Sequence, residues 1–429
     1  MSGHAEFVLL GFPDVNGSIR GKALRPDAFE SAVERGTVMT DLLLGVDPVD
    51  TPITDFDRFG IRTGAADLVV RPDTSVLHDL AWRPGWRVCL ATPSWPDGSP
   101  CGLASREVYR GVLDRITGDG FEVMAALEYE VRLWDADGGP LSSGLSYSLV
   151  EIGRYLAFVD ALVPALEGLG IELTAVHTEA GPGLLELNLA ARRGLRAADD
   201  AALVKFAVKD LAATMGMRAS FLAKTNPGEE GSSGHVHMSF WQGDANAFAS
   251  DHAGDDLPKE FASAIAGVVS HLPGASLLLN PTINSYKRLV PGWFAPVNAT
   301  WGYENRSCAV RAIRSDRVDL WRFECRRPGA DANPYLALAA IAAAASDGVT
   351  RGLDPPAPIE GDAYALEDAA TELPGSLDES LRAFQADESL RSALGDDFSD
   401  YYSTTRRWEL KAWRETVTDW ERDRYGRSV

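Results

Sequence analysis

In the stretch ALEYEVRLW, Leu127, Tyr129, Val131 and Leu133 alternate with Glu128, Glu130 and Arg132. A period of two belongs to a β-strand with one apolar face. The pattern therefore demands a sheet with one side in the core, and it sends two carboxylates from the other side, roughly 7 Å apart. Three more stretches share this parity. In GHVHMSF, His235, His237 and Ser239 oppose Val236, Met238 and Phe240, and in LWRFECRR, Arg322, Glu324 and Arg326 oppose Trp321, Phe323 and Cys325. In HTEAGPGLLELNL, Glu179 and Glu186 flank a Gly-Pro-Gly turn, with Leu185, Leu187 and Leu189 opposite Glu186.

A Glu-x-Glu strand alone is ordinarily a solvent-facing edge, and a lone His-x-His is ordinarily a satisfied pair. Four such faces together are different. In one sheet the carboxylates would repel and raise one another's pKa unless divalent cations neutralised them. Glu128, Glu130, Glu179, Glu186 and Glu324 with His235 are mostly hard oxygen donors, which suits Mg2+ or Mn2+, and no cysteine lies on these faces. Such ions commonly hold nucleotide phosphates, and Arg288, Arg306, Arg311 and Arg326 would complement the same charge.

The rest of the chain sets bounds. Its 429 residues, 45% hydrophobic, are enough for a large core and more than one domain. Residues 1–103 hold short apolar runs broken by Pro, Gly and Asp, which predicts a small strand-rich domain, and residues 104–429 form the second unit. DDAALVKFAVKDLAATMG predicts a buried helix opening at Asp199 and Asp200. NPYLALAAIAAAASDG predicts another, with Asn333 as cap, Pro334 in the first turn and Gly348 as its stop. The last fifty residues read as charged amphipathic helices.

The start, MSGHAEFVLL, carries no secretory pattern, no run of about 18 apolar residues occurs, and the four cysteines form no CxxC pair. The expectation is a soluble cytoplasmic protein with reduced thiols. A net charge of −21 argues against nucleic acid and anionic membrane as partners.

Longer motifs carry a resemblance. GSSGHVHMS, NPTINSYKRLVPG, NRSCAVRAI, FECRRPGADANPYLALAA and EAGPGLLE together resemble, in order and spacing, the glutamine synthetase superfamily over nearly the whole chain. The resemblance implies an α+β fold: a small N-terminal β-grasp domain and a catalytic domain with a curved antiparallel sheet flanked by helices. It also implies homo-oligomeric rings, commonly two stacked hexamers, with each site completed by a neighbour. By the same resemblance Glu130, Glu179 and Glu186 would bind the metal near the acid substrate, and Glu128, His235 and Glu324 the metal at the transferring phosphate. Arg288, Arg326 and backbone near Gly231 would hold glutamate, Arg306 would stabilise the phosphoryl group, and Arg311, His237 and Ser239 would serve ATP. The implied first step is attack of the glutamate side-chain carboxylate on the γ-phosphate.

The sequence departs from that pattern at the nitrogen donor. In members that make glutamine, a flap ending Tyr-Glu-Ala-Pro supplies a glutamate that binds ammonium and takes its proton. Here the flap reads PGWFAP, so Trp293 replaces the tyrosine and Phe294 the glutamate. The Asp-Gly-Ser-Ser motif for ammonium is also missing; LLGVDPVD stands there, with Asp47 as its counterpart. Leu184 stands where Gln is usual, and Gly329 where Asp is usual. ALEDAATELP lacks the tyrosine that some bacterial members adenylylate, so that regulation is not expected. The expectation is a ligase joining glutamate to an organic amine, with Trp293 and Phe294 lining the amine pocket. An ammonia-using enzyme with a reworked flap and a non-catalytic ring protein are the alternatives.

Overall fold

The computed structural model of the chain describes residues 6–249, 257–366 and 372–427; the first five residues and the centre of ALEDAATELP lie outside them. The N-terminal part is a mixed five-stranded sheet. It comprises β1 (Phe7–Pro13), β2 (Ile19–Leu24), α1 (Pro26–Arg35), β3 (Thr37–Thr40), β4 (Asp67–Asp79) and β5 (Trp86–Ser94). The strand order is β2-β1-β5-β4-β3, with β1 and β5 parallel at the centre and every other pair antiparallel. This parallel pair, with α1 burying Phe29 and Ala32 against the sheet, is the arrangement expected of a β-grasp.

The second part alternates helices and strands: α2 (Ser105–Gly118), β6 (Glu122–Trp134), α3 (Leu156–Gly168), β7 (Leu173–Thr178), β8 (Leu184–Leu189), β9 (Arg192–Arg193) and α4 (Arg196–Thr214). There follow β10 (Arg218–Ser220), β11 (Gly234–Gln242), β12 (Ala245–Asn246), α5 (Lys259–Leu279), β13 (Trp301–Tyr303), β14 (Val310–Ile313) and β15 (Arg322–Cys325). The remaining helices are α6 (Pro334–Arg351), α7 (Leu377–Ala386), α8 (Glu388–Leu394), α9 (Asp396–Glu415) and α10 (Asp419–Tyr425). Ten strands form one sheet, whose main path runs β13-β14-β15-β11-β6-β8-β7.

The four acidic or histidine-bearing stretches are consecutive on that path. β15 pairs antiparallel with β11, β11 with β6, β6 with β8, and β8 with β7, which ends one residue before Glu179. The registers align the donors across the strands: His235 opposite Glu128, His237 opposite Glu324, and Glu130 opposite Glu186. The other face is apolar. Leu127, Tyr129, Val131 and Leu133 of β6 are all at most 2% exposed, with α2 and α4 packed on that strand. The core continues between α5 and α6.

Two helix boundaries differ from the expected ones. Helix α4 starts at Arg196, so Asp199 and Asp200 lie inside its first turns, not at its cap, and both are buried against arginines. Asp199 accepts from Arg106 (2.9 and 2.8 Å) and from Tyr335 (2.6 Å), tying α2 and α6 to α4. Asn333 does cap α6, accepting from the Tyr335 N–H, but the helix passes through Gly348 to end at Gly352 in a left-handed conformation. Gly348 is instead a crossing point: a Cβ there would lie 2.0 Å from the Ser263 carbonyl oxygen of α5. Among the described helices α5 alone is long and apolar enough to cross a bilayer, and 78% of its apolar stretch is buried in the fold.

Candidate active site

The polar face of the sheet opens into a cavity of about 650 Å3. Glu128, Glu130, Glu179, Glu186, His235 and Glu324 all line it, together with Gly231, Arg288, Trp293, Phe294, Arg306, Arg311 and Arg326. The carboxylates and His235, spread over nearly two hundred positions of the sequence, thus meet because neighbouring strands present alternate side chains to one side, while Gly231, Arg288, Trp293, Phe294 and Arg306 come from the loops between strands.

The donors fall into two groups whose ligating atoms lie within 4.8 Å of one another. One group is Glu128, His237 and Glu324, with His235 beside it: His235 Nδ1 is 3.7 Å from Glu128 and 3.5 Å from Glu324. His235 Nε2 is buried with no hydrogen-bond partner among the described residues. Arg322 Nε lies 3.1 Å from His237 Nδ1, and His237 Nε2 lies 3.0 Å from Glu128. The other group is His177, Glu179 and Glu186, with Glu130 opposite Glu186 in the sheet. His177 was not anticipated; its ring lies 3.3 Å from Glu179 and 3.2 Å from Glu186, and it stacks on Tyr147 at 4.3 Å between centroids. The His-x-Glu spacing in HTEAGPG was its signal. Tyr147, in a loop with φ 52°, had none.

The electrostatics follow from this crowding. Burial, together with the charges of Glu186 and Glu179, pushes the Glu130 carboxyl up to about 7, against hydrogen bonds from the Ser233 N–H (2.8 Å) and hydroxyl. Burial opposes ionisation of Glu324, yet the adjoining Arg326 charge and the two histidines hold it down to about 2. Glu128 is likewise buried and is held well below the usual carboxylate range by His237 and His235. Burial disfavours the His177 cation, but Glu179 and Glu186 outweigh it and raise the ring to about 10. A carboxylate kept partly protonated by its neighbours in one group and an unpartnered imidazole nitrogen in the other are donors that divalent cations fit.

The arginines surround this cluster. Arg326 pairs with Glu324, and Arg311 bridges Glu324 (3.1 Å) and Glu304. Arg288, 3% exposed, donates to the backbone carbonyls of Arg327 (3.1 Å) and Arg326 (3.3 Å). It passes so close to Gly231 that a Cβ there would lie 2.6 Å from Arg288 Cγ, so this wall requires glycine. Trp293 packs under the Lys224 ammonium, 4.1 Å from its ring centroid, while Phe294 is 57% exposed with φ 51°. Phe294 and Arg306 also line a second cavity of about 630 Å3 beside the first.

Three residues singled out from the sequence do not line the cavity of their own chain. His237 stands in the Glu128–Glu324 group but is not among the residues that line the cavity. Ser239 is buried on the same face further along β11, its hydroxyl accepting from Trp241 Nε1 at 2.9 Å. Asp47 lies in the N-terminal part, where its carboxylate accepts from Val49 and Thr51 N–H groups (3.0 and 2.8 Å) and from Trp408 Nε1 (3.3 Å). Leu184 is buried beneath the Gly-Pro-Gly turn.

Comparison with known proteins agrees with this geometry. The family model of the glutamine synthetase catalytic domain matches residues 103–425. The chain is 33% identical to a γ-glutamylethanolamide synthetase of Streptomyces coelicolor, over 98% of this chain and 92% of that one. It is 32% identical to a glutamate–isopropylamine ligase of a Pseudomonas species, over 97% and 94%, and 33% identical to a glutamine synthetase of Thermus thermophilus, over 98% and 96%. A structure of GmaS without ligand superposes with a TM-score of 0.86 at 29% identity, covering 98% of this chain and 97% of that one. A GmaS complex with ADP superposes at 0.87 and 28% identity, covering 98% and 96%. The chain belongs to the glutamine synthetase family, whose members are ATP-dependent ligases that form carbon–nitrogen bonds with the help of divalent metal ions.

Proposed function

We propose that this ligase joins glutamate to an organic amine through a γ-glutamyl phosphate. The observation that carries the reading is the flap: Trp293 and Phe294 line the same cavity as the carboxylate cluster, where a glutamine-forming member has a glutamate. Losing that anion removes a charge-assisted partner of ammonium worth about 1.5–3 kcal/mol. Two aromatic faces instead favour an apolar amine body, or hold an organic cation by about 0.5–2 kcal/mol. The relatives named for ethanolamine and isopropylamine support it.

In this reading the glutamate side-chain carboxylate attacks the γ-phosphorus of ATP. The bond from the bridging oxygen to the γ-phosphorus breaks, ADP leaves, and an acyl phosphate forms. The amine nitrogen then attacks the acyl carbon, loses a proton, and expels inorganic phosphate. Arg288 and Arg326 orient the acid, Arg306 stabilises the transferring phosphoryl group, and Arg311 with His237 and Ser239 serves the nucleotide. Glu130, Glu179 and Glu186 would hold one Mg2+ or Mn2+, with His177 beside them, and Glu128, His235 and Glu324 the other. These ions supply neutralisation of the polyphosphate charge. An alkylamine is only about 0.1% neutral at pH 7, so a base is needed. Asp47, contributed by an adjacent copy of the chain in a ring of two stacked hexamers, takes that role here, and the division of domains falls near residue 103.

The test is phosphate release by the purified protein with ATP, Mg2+ and glutamate. Ammonium is compared with aliphatic, hydroxyalkyl, polyamine and aromatic amines, and the products are weighed by mass spectrometry. A γ-glutamyl amide of an organic amine, with ammonium poor, supports the reading. If ammonium is the best nitrogen donor, the aromatic pair only closes the flap and the enzyme is a glutamine synthetase.

A further inference from the structure

On the opposite side of the sheet from the carboxylate cluster lies another cavity, of about 670 Å3, between the β1–β2 turn, one face of α4 and residues 219–222. It shares no lining residue with the active site. Two lysines one helical turn apart line it. Lys205 is 9% exposed and Lys209 stands at the rim. Like charges at this spacing destabilise a helix, and a buried ammonium calls for a counter-charge.

Asp331, in the same wall, acts on Lys205 through space but forms no ion pair with it. Among the described residues neither lysine has a carboxylate within ion-pair distance. Lys205 Nζ donates to the Ala332 carbonyl (2.8 Å) and lies over the rings of Tyr129 and Phe221, 5.1 and 5.5 Å away. The two acids of the cavity wall have other partners, although Asp331 Oδ1 is buried with none among the described residues. Asp210 is held by Arg83 (2.6 and 2.7 Å) and Trp82 (2.7 Å), and Asp331 Oδ2 accepts from Ser285 (2.6 Å) and Thr282 (3.0 Å). Phe206 and Phe221 add aromatic surface to the wall.

We infer that this cavity binds a small organic carboxylate, its charge taken by Lys205 and Lys209 and its apolar body packed against Phe206 and Phe221. The volume falls in the range of small-molecule sites, in which aromatic walls combine with convergent polar groups. Asp331 connects the wall to Ser285, three residues before Arg288.

The experiment is calorimetric titration of the full-length protein with hexanoate and phenylacetate, using hexanamide and inorganic phosphate as controls. Neither acid has an amino group and no turnover is needed, so the result is independent of the ligase reading. Saturable binding of at least one carboxylate is expected, with no binding of the amide and about tenfold weaker binding in Lys205→Met. Lys209→Met, at the exposed rim, gives a second variant if the first fails to fold, with a loss of several-fold. The inference is overturned if neither acid binds by about 10 mM. Binding of an acid equally well to both variants, or binding of phosphate with the same lysine dependence, overturns it too.

Discussion

In the proposed reading, the side chain at Phe294 separates two chemistries of nitrogen. Phe294→Glu restores an anion at the flap, and the expected outcome is a shift of the kcat/KM ratio toward ammonium by about tenfold or more, read by competition between ammonium and the preferred amine. Trp293→Ala should raise the amine KM while leaving the KM for ATP unchanged. Lys205 allows a different test. Burial pulls its amine down to about 7 from 10.5, so between those values the unfolded chain binds one proton more than the folded one. Stability therefore rises with pH across that window and is lowest below it. Lys205→Met should abolish the slope and, without ligand, stabilise the fold at pH 7 by on the order of 2 kcal/mol, measured by urea denaturation. The lysine was not readable as special in the sequence, since i, i+4 lysines on a helix are ordinarily solvent-facing.

Among elements, the strands were legible and the helix ends were not. Period-two alternation marks a face regardless of which strand lies next to it, so all four acidic faces could be assigned from sequence. Their neighbour order β15-β11-β6-β8-β7 depends on long-range pairing and could not be read locally. Asp199 resembled a cap because helix starts and buried arginine pairs draw on the same residue type. Gly348 resembled a stop because a glycine needed for close packing looks identical to one needed for a left-handed turn. Gly348→Ala should therefore cost about 3 kcal/mol by overpacking α5 against α6, seen as a lowered denaturation midpoint.

Where α5 and α6 meet the α7–α8 junction, His271 lies 2.8 Å from Asp387 and 3.0 Å from Asp347, and these partners raise its pKa despite burial. Its stabilising contribution is full below the unfolded value of 6.5 and is lost as pH rises through the higher folded value. His271→Ala should destabilise by about 3 kcal/mol at pH 6 and by less in alkali.

For the whole molecule, the decisive question is whether one chain holds a complete site. The cavity contains every proposed metal ligand but not Asp47, which is engaged by its own loop and by Trp408. If an adjacent copy supplies it, Asp47→Asn and Arg326→Gln should each be nearly inactive alone. Co-assembled in equal amounts they should recover roughly a quarter of the wild-type rate, because that fraction of sites draws both parts from unaltered residues. No recovery would place the base within the chain itself. The sequence could suggest this sharing only through family likeness, since subunit contacts leave no periodic trace.

Phe294 also holds a backbone conformation that side chains with a Cβ adopt reluctantly, at a cost on the order of 1 kcal/mol. Phe294→Gly should therefore make the protein more resistant to heat and less discriminating among nitrogen donors at once. If the proposed role holds, endurance and selectivity pull in opposite directions at the flap, and a search for hardier variants would tend to erase the residue assigned to choosing the substrate.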